Sequence, residues 1–238
     1  MGNGSALGPA TVVACTRRGV LHAWFQVFPY SPHAEPVTQR ALGLWTSGGS
    51  GARPAVRAMA ARPLPTSGDP GFVCAVAGED RSIVVFSGAG GDLDALQVLP
   101  PSEGGDGGWL RGVAASLLGG AGWRASRSPV LQVAILPVAA PRWRLLVLTE
   151  EALDSWLVPV DTTESADLTW SFNLLPALKS QLKERSELAM IGMAITSDTQ
   201  HLVVGSTSQS GFSLHTLSIG GLGNPALLDF TPVEGVQW

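Results

Sequence analysis

Four histidines, two cysteines and two pairs of adjacent carboxylates are the side chains of this 238-residue chain best suited to chemistry. Metal ligation asks for His, Cys or carboxylates a few residues apart on one element. His22, His33, His201 and His215 show no such spacing, among themselves or with Cys15 and Cys74. Acyl transfer on a nucleophile elbow needs Gly-x-Ser-x-Gly, which does not occur. The glycine clusters at 48–51 and 88–91 lack the Lys-Ser/Thr that completes a phosphate-cradling loop. Glu79–Asp80 and Glu150–Glu151 offer paired carboxylates for acid/base work, but both pairs fall in turn-like sequence, where solvation is the simpler reading. His22 and His215 occupy similar places in apolar–turn–apolar runs, which favours a role on a strand surface. The expectation is a chain that is not an enzyme and takes no cofactor, metal or small-molecule substrate.

Four such runs organise the chain. They are VVACTRRGVLHAW (Val12–Trp24), VCAVAGEDRSIVVF (Val73–Phe86), LLVLTEEALDSW (Leu145–Trp156) and LVVGSTSQSGFSLHTL (Leu202–Leu217). β-Branched and aromatic residues around short polar turns predict β-hairpins. Upstream of the last three lie further apolar runs, AVRAMAA, VLQVAILPV and AMIGMAIT. Three antiparallel strands per unit begin a propeller blade. The intervals exceed the roughly 40–45 residues of a WD blade, and no Trp-Asp dipeptide is present. The expected fold is therefore all-β, a partial non-WD β-propeller of about four blade-like units in one domain, with long loops and one or two short helices. Segments 29–54 and 88–108, rich in Gly, Pro and Ser, are expected as flexible loops. One helix is predicted over 174–187, where Leu174, Leu175, Leu178 and Leu182 share a face, Asn173 caps and Pro176 sits in the first turn.

Composition narrows the partners. Apolar residues make up 45% and charged residues 14%, which is globular. A net charge of −4 with no basic cluster argues against direct nucleic-acid binding. The start, MGNGSALGPATVV, lacks a basic region followed by a long apolar one, so Cys15 and Cys74 are expected as free, buried thiols. VLQVAILPVAAPRWRLLVL is broken by Gln132, two prolines and two arginines, and is not read as a membrane span.

The stretch 107–123, GGWLRGVAASLLGGAGW, is different in kind. On a helix Trp109, Leu110, Val113, Leu117 and Leu118 share a face with Ala114 and Ala121, opposite Gly, Ala and Ser, with Arg111 the one charge. Interior glycines cost roughly 1 kcal/mol each against alanine, so such a helix should not persist alone in water. Two readings stand: an ordinary loop or edge helix, or a segment that contacts curved membrane because its polar face carries too little charge for headgroups to hold.

The C-terminal half carries a resemblance. Trp156 closing its hairpin, then Trp170-Ser171, then Ala177-Leu178-Lys179 on the short helix, resemble the N-terminal β-propeller of scaffold nucleoporins in the outer ring of the nuclear pore. The closest likeness is the nucleoporin 133 type within the 133/155 class. VVACTRRGVLHAW, ending at Trp24, resembles the family's recurrent strand–turn–strand. The resemblance is detailed over 107–219 and only general before it. It implies a seven-bladed propeller, other nucleoporins and the curved pore membrane as partners, nuclear-envelope localisation, and a lipid-packing sensor where 107–123 stands. Four hairpins are too few for seven blades, so the chain is expected to be part of a longer protein or a short form.

Overall fold

The computed structural model describes residues 10–27, 38–43, 55–64, 71–79, 81–89, 92–99, 128–138, 142–159, 164–182, 187–209, 211–220 and 225–233. These residues form fifteen strands and one helix. In chain order the strands are β1 (Ala10–Cys15), β2 (Val20–Val27), β3 (Thr38–Gly43), β4 (Val56–Leu64), β5 (Gly71–Gly78), β6 (Ile83–Ala89), β7 (Asp92–Leu99) and β8 (Val130–Pro137). They continue as β9 (Arg142–Thr149), β10 (Leu153–Pro159), β11 (Asp167–Phe172), β12 (Ala189–Ile195), β13 (His201–Ser208), β14 (Gly211–Ser218) and β15 (Ala226–Val233). The helix α1 (Leu174–Leu182) lies between β11 and β12.

All pairings are antiparallel between consecutive strands, so each sheet is a meander. Sheet I holds β1–β3, sheet II β4–β7, sheet III β8–β11 and sheet IV β12–β15. The four expected units are present, and the four expected hairpins are β1–β2, β5–β6, β9–β10 and β13–β14. The same irregularities recur: a register shift near the start of β4, β8 and β12, and another where β7, β11 and β15 pair with their neighbours.

Two expectations are corrected. Segments 29–54 and 88–108 were expected as loops, yet the first contains β3 and the second contains the end of β6 and all of β7. TQRALG and DLDALQVL carry few β-branched residues, and a strand at a sheet's edge needs only one neighbour's ladder to hold it. Most units accordingly have four strands rather than three. The helix predicted over 174–187 ends at Leu182 in the described residues, and Glu187 lies outside it.

Successive sheets stack face to face, and strand alternation sorts side chains between the two stacks. Phe72, Cys74 and Val76 of β5, with Val84 and Phe86 of β6, face sheet I and meet Leu21 and Ala23. Val73, Ala75 and Ala77, with Ile83 and Val85, face sheet III and meet Val133, Ile135, Trp143, Leu145 and Val147. Leu146 and Leu148 point the other way, toward Met190, Met193, Leu202, Val204 and Leu217 of sheet IV. Strands covered on both faces are mostly apolar, which is why β5 reads as an unbroken run and β9 as one from Leu145 to Leu148. β13, covered on one face, alternates buried and half-buried positions.

Side chains also tie the first strands of neighbouring sheets. Gln132 of β8 donates from Nε2 to the Met193 carbonyl (2.9 Å) and accepts from the Met193 N–H (2.7 Å), capping a stretch of β12 as another strand would. Arg62 of β4 donates to the Ile135 carbonyl of β8 at 3.2 Å.

Candidate functional site

The residues singled out from the sequence fall in different places. Trp170, in β11, is 1% exposed and belongs to the core between sheets III and IV, together with Leu178 at 0%. Ala177 and Lys179 flank Leu178 on α1 and are half-buried. Trp156, in β10, is half-buried against the other core, between sheets II and III. Trp24, in β2, is half-buried and stacks on His22, with ring centroids 5.8 Å apart and planes 18° from parallel. The structure thus brings Trp170 and Leu178 together but not Trp24 and Trp156. Trp109, Leu110, Val113, Leu117 and Leu118, with the whole 107–123 segment, lie outside the described residues.

The helix is seated by the chain just before it. Asn173 is exposed and directly precedes Leu174, the position expected of a cap. An early N–H of α1, that of Leu175, donates to the Glu151 carbonyl at 2.8 Å. The Glu150–Glu151 turn therefore serves as a ledge for the helix while its carboxylates stay at the surface. Leu174 and Leu178 point inward at 0% exposure.

The polar centre of this interface went unread in the sequence. Arg144 of β9 is 6% exposed, between Trp143 and the apolar run Leu145–Leu148. Its Nε donates to Ser155 Oγ (3.0 Å), and its Nη1 donates to the Ile219 carbonyl of sheet IV (2.5 Å). Its guanidinium carbon lies 5.2 Å from the centre of the Trp170 ring, a cation–π contact. Thr169 Oγ1 donates to Ser155 Oγ at 2.8 Å, completing a short chain of hydroxyls. Among the described residues Nη2 has no hydrogen-bond partner, and burial lowers the guanidinium's pKa from its ordinary value. One signal could have found it: the second Arg of RWRLLVL, set between Trp143 and Leu145 in a run too apolar for a surface strand.

Within sheet IV, between the neighbouring strands β13 and β14, Ser206 Oγ and His215 Nε2 are 2.7 Å apart. A Ser–His contact is the geometry of a base-activated nucleophile, but Ser206 is 1% and His215 0% exposed, so neither meets a substrate here. Burial lowers the His215 pKa. His215 is thus an interior residue rather than the strand-surface residue expected, whereas His22 does sit on the outer face of sheet I. Cys15 and Cys74 are free; burial raises their pKa values to about 11 and about 12, with the neighbouring Cys15 adding to the rise at Cys74. Among the described residues no group of three or more His, Cys, Asp or Glu is placed to hold a metal ion, and no helix is long and apolar enough to cross a membrane.

Meanders stacked in sequence, one of three strands and three of four, with the first strands of sheets II, III and IV side by side, make this a partial β-propeller of four consecutive blade-like units. A crystal structure of the Nup133 β-propeller domain from Vanderwaltozyma polyspora is similar over 98% of this chain, with a TM-score of 0.57 and 10% identity. A crystal structure of a protein from Lactobacillus plantarum is similar over 94%, with a TM-score of 0.55 and 11% identity. The chain spans 59% and 55% of the length of these two proteins. No family model matches the sequence, and no curated protein matches it.

Proposed function

We propose that this chain is a scaffold module of the nuclear pore complex, a propeller of the outer-ring nucleoporin 133 type, which works by holding other nucleoporins rather than by catalysis. The similarity of 98% of the chain to the Vanderwaltozyma polyspora Nup133 propeller is the observation that carries the reading. The sequence resemblance supports it: two of its motif residues, Trp170 and Leu178, share one buried core, where conservation of type would have a packing reason. A scaffold needs rigid, sequence-local units that present loops and edges to partners, and stacked meanders supply them.

Endogenous tagging and imaging test this. A punctate nuclear rim, with other outer-ring nucleoporins co-precipitating, is expected; diffuse cytosolic signal without them would refute it. Within the same reading, segment 107–123 contacts curved pore membrane through Trp109, Leu110, Val113, Leu117 and Leu118. The chain should then float with small neutral liposomes but not large ones, and Leu117→Asp should abolish flotation. Equal binding to both sizes, or to neither, refutes the membrane contact while leaving the scaffold reading intact.

A further inference from the structure

Between sheets III and IV lie two buried N–H groups with no hydrogen-bond partner among the described residues. One is Nη2 of Arg144, the other Nε1 of Trp170. Both residues are sealed from solvent, at 6% and 1% exposure. The guanidinium stands over the face of the same indole that carries Nε1, so the two groups belong to one contact. A buried donor left unsatisfied has given up its hydration without return, and native interiors hold few of them.

The charge is as unbalanced as the hydrogen bonding. Nε and Nη1 of Arg144 donate to Ser155 Oγ and to the Ile219 carbonyl, both of them neutral acceptors. The neighbouring buried carboxylate, Asp154, is on the other side of sheet III. It pairs across the ladder with Val147, whose side chain faces sheet II, and its Oδ1 accepts from Ser171 Oγ at 2.5 Å. Arg144 shares the face of Leu146 and Leu148, which meets sheet IV. Among the described residues no carboxylate pairs with it. A cation taken out of water without a counter-charge is costly to keep.

We propose that Arg144 Nη2 and Trp170 Nε1 together bind one small monovalent anion of the halide class, chloride in ordinary salt, between sheets III and IV. Three observations define this ligand. Guanidinium and indole N–H groups only donate, so the ligand must accept. A water would bring two hydrogens needing acceptors of their own, and Ser155 Oγ and the Ile219 carbonyl are already engaged by the same guanidinium. A halide brings no hydrogen and supplies the negative charge that the buried cation lacks. The site is closed to solvent and carries one positive charge, which suits a single-atom monovalent ion and not sulfate or phosphate. So bound, the ion neutralises a guanidinium that already bridges β9 to Ile219, and braces sheet III against sheet IV.

The test is equilibrium denaturant unfolding of the intact chain, followed by circular dichroism, with sodium chloride exchanged for sodium gluconate at constant ionic strength so that screening stays fixed. Unfolding opens the site, so the ion equilibrates however closed the native interior is. An ion that binds only the fold should raise the folded-to-unfolded ratio about elevenfold at ten times its dissociation constant. Crystals grown in bromide should show its anomalous scattering between Arg144 and Trp170. Trp170→Phe keeps an aromatic ring without the N–H, and Arg144→Met removes the charge. Each should lose most of the chloride dependence, whatever its own stability. Three results would overturn the proposal. The ratio does not change up to about 0.2 M chloride; either variant keeps the full chloride dependence of the parent; or the bromide signal is absent from the site, so that a water is the acceptor.

Discussion

Leu178→Ala separates a helix built into the core from a helix held in reserve for a partner. Leu178 is 0% exposed and shares its core with Trp170, Leu174, Leu148 and Leu202. Truncation removes three carbons, each worth about 0.8 kcal/mol of transfer free energy, or roughly 2.4 kcal/mol together. The strands around the site are fixed in ladders and can close only part of the gap, so a cavity term is added. Alanine's better helix propensity returns only a few tenths of a kcal/mol. The expected loss is about 3 kcal/mol, within the range of roughly 2–5 seen for buried leucines. Equilibrium denaturant unfolding followed by tryptophan fluorescence measures it, with Trp170 in the same core as a reporter. Lys179→Ala, at the half-buried neighbouring position, should change stability by less than about 0.5 kcal/mol. If Leu178→Ala unfolds at the same denaturant concentration as the parent, α1 is not part of the core, and the argument from burial to stability fails.

Arg144→Met removes two charge-assisted hydrogen bonds worth roughly 1.5–3 kcal/mol each, but it also removes a buried cation that no carboxylate pairs among the described residues. The net loss should be under about 2 kcal/mol and smaller than that of Arg144→Ala, which adds a cavity; the reverse order in denaturant midpoints would contradict this. Burial holds the His215 imidazole neutral in the fold, while in the unfolded chain it takes up a proton near pH 6.5. Its contribution is therefore full above that pH and is lost as pH falls toward the lower, folded pKa. His215→Gln should flatten stability against pH between about 7 and 5, and an unchanged slope would count against it. With thiol pKa values of about 11 and about 12, half-buried Cys15 and buried Cys74 should react with a disulfide reagent at pH 8 at least two orders of magnitude more slowly in the native state than after unfolding; fast native labelling would refute this shielding. Gly88→Ala puts a Cβ 2.3 Å from the Phe72 ring, which is packed between sheets I and II, and should cost about 1–3 kcal/mol by thermal melting.

The sequence made the second and third strands of each unit legible as apolar runs joined by a short polar turn, continuous where both faces are covered and alternating where one is. VCAVAGEDRSIVVF and LLVLTEEALDSW state this in their residues. The first strands could be seen as runs. The fourth strands could not, because β3 and β7 lie at sheet edges in segments whose Gly, Pro and Asp content suits a loop equally well. Trp170 and Leu178 were marked by resemblance, and their shared core supplies the physical reason. Arg144 and Gln132 were read as interruptions of an apolar region. Each is in fact a long side chain spending its hydrogen bonds across a sheet interface, on Ile219 and Met193. Side-chain reach across a stack leaves no periodic trace in the sequence.

Strands with two apolar faces have a weakness that half-exposed strands lack. If a strand with one wet face slips by a residue, its apolar set is thrown into water and the error is penalised at once. If β9 slips by one, Leu146 and Leu148 trade places with Leu145 and Val147, and almost nothing greasy is exposed. Hydrophobic burial therefore proofreads this strand poorly, and threading falls to Arg144, whose bonds to Ser155 and Ile219 exist in one register only, and to the turns. Thr149 is the stop after β9: its hydroxyl donates to the Ala152 carbonyl and accepts from the Ala152 N–H, both at 3.0 Å. Between β5 and β6 the corresponding stop is Arg81, held at a φ of 71° that a non-glycine residue adopts only where the turn demands it. Changes at these turn positions would yield compact, mis-threaded chains with full cores, which dye binding would not flag and which would leave their traps slowly.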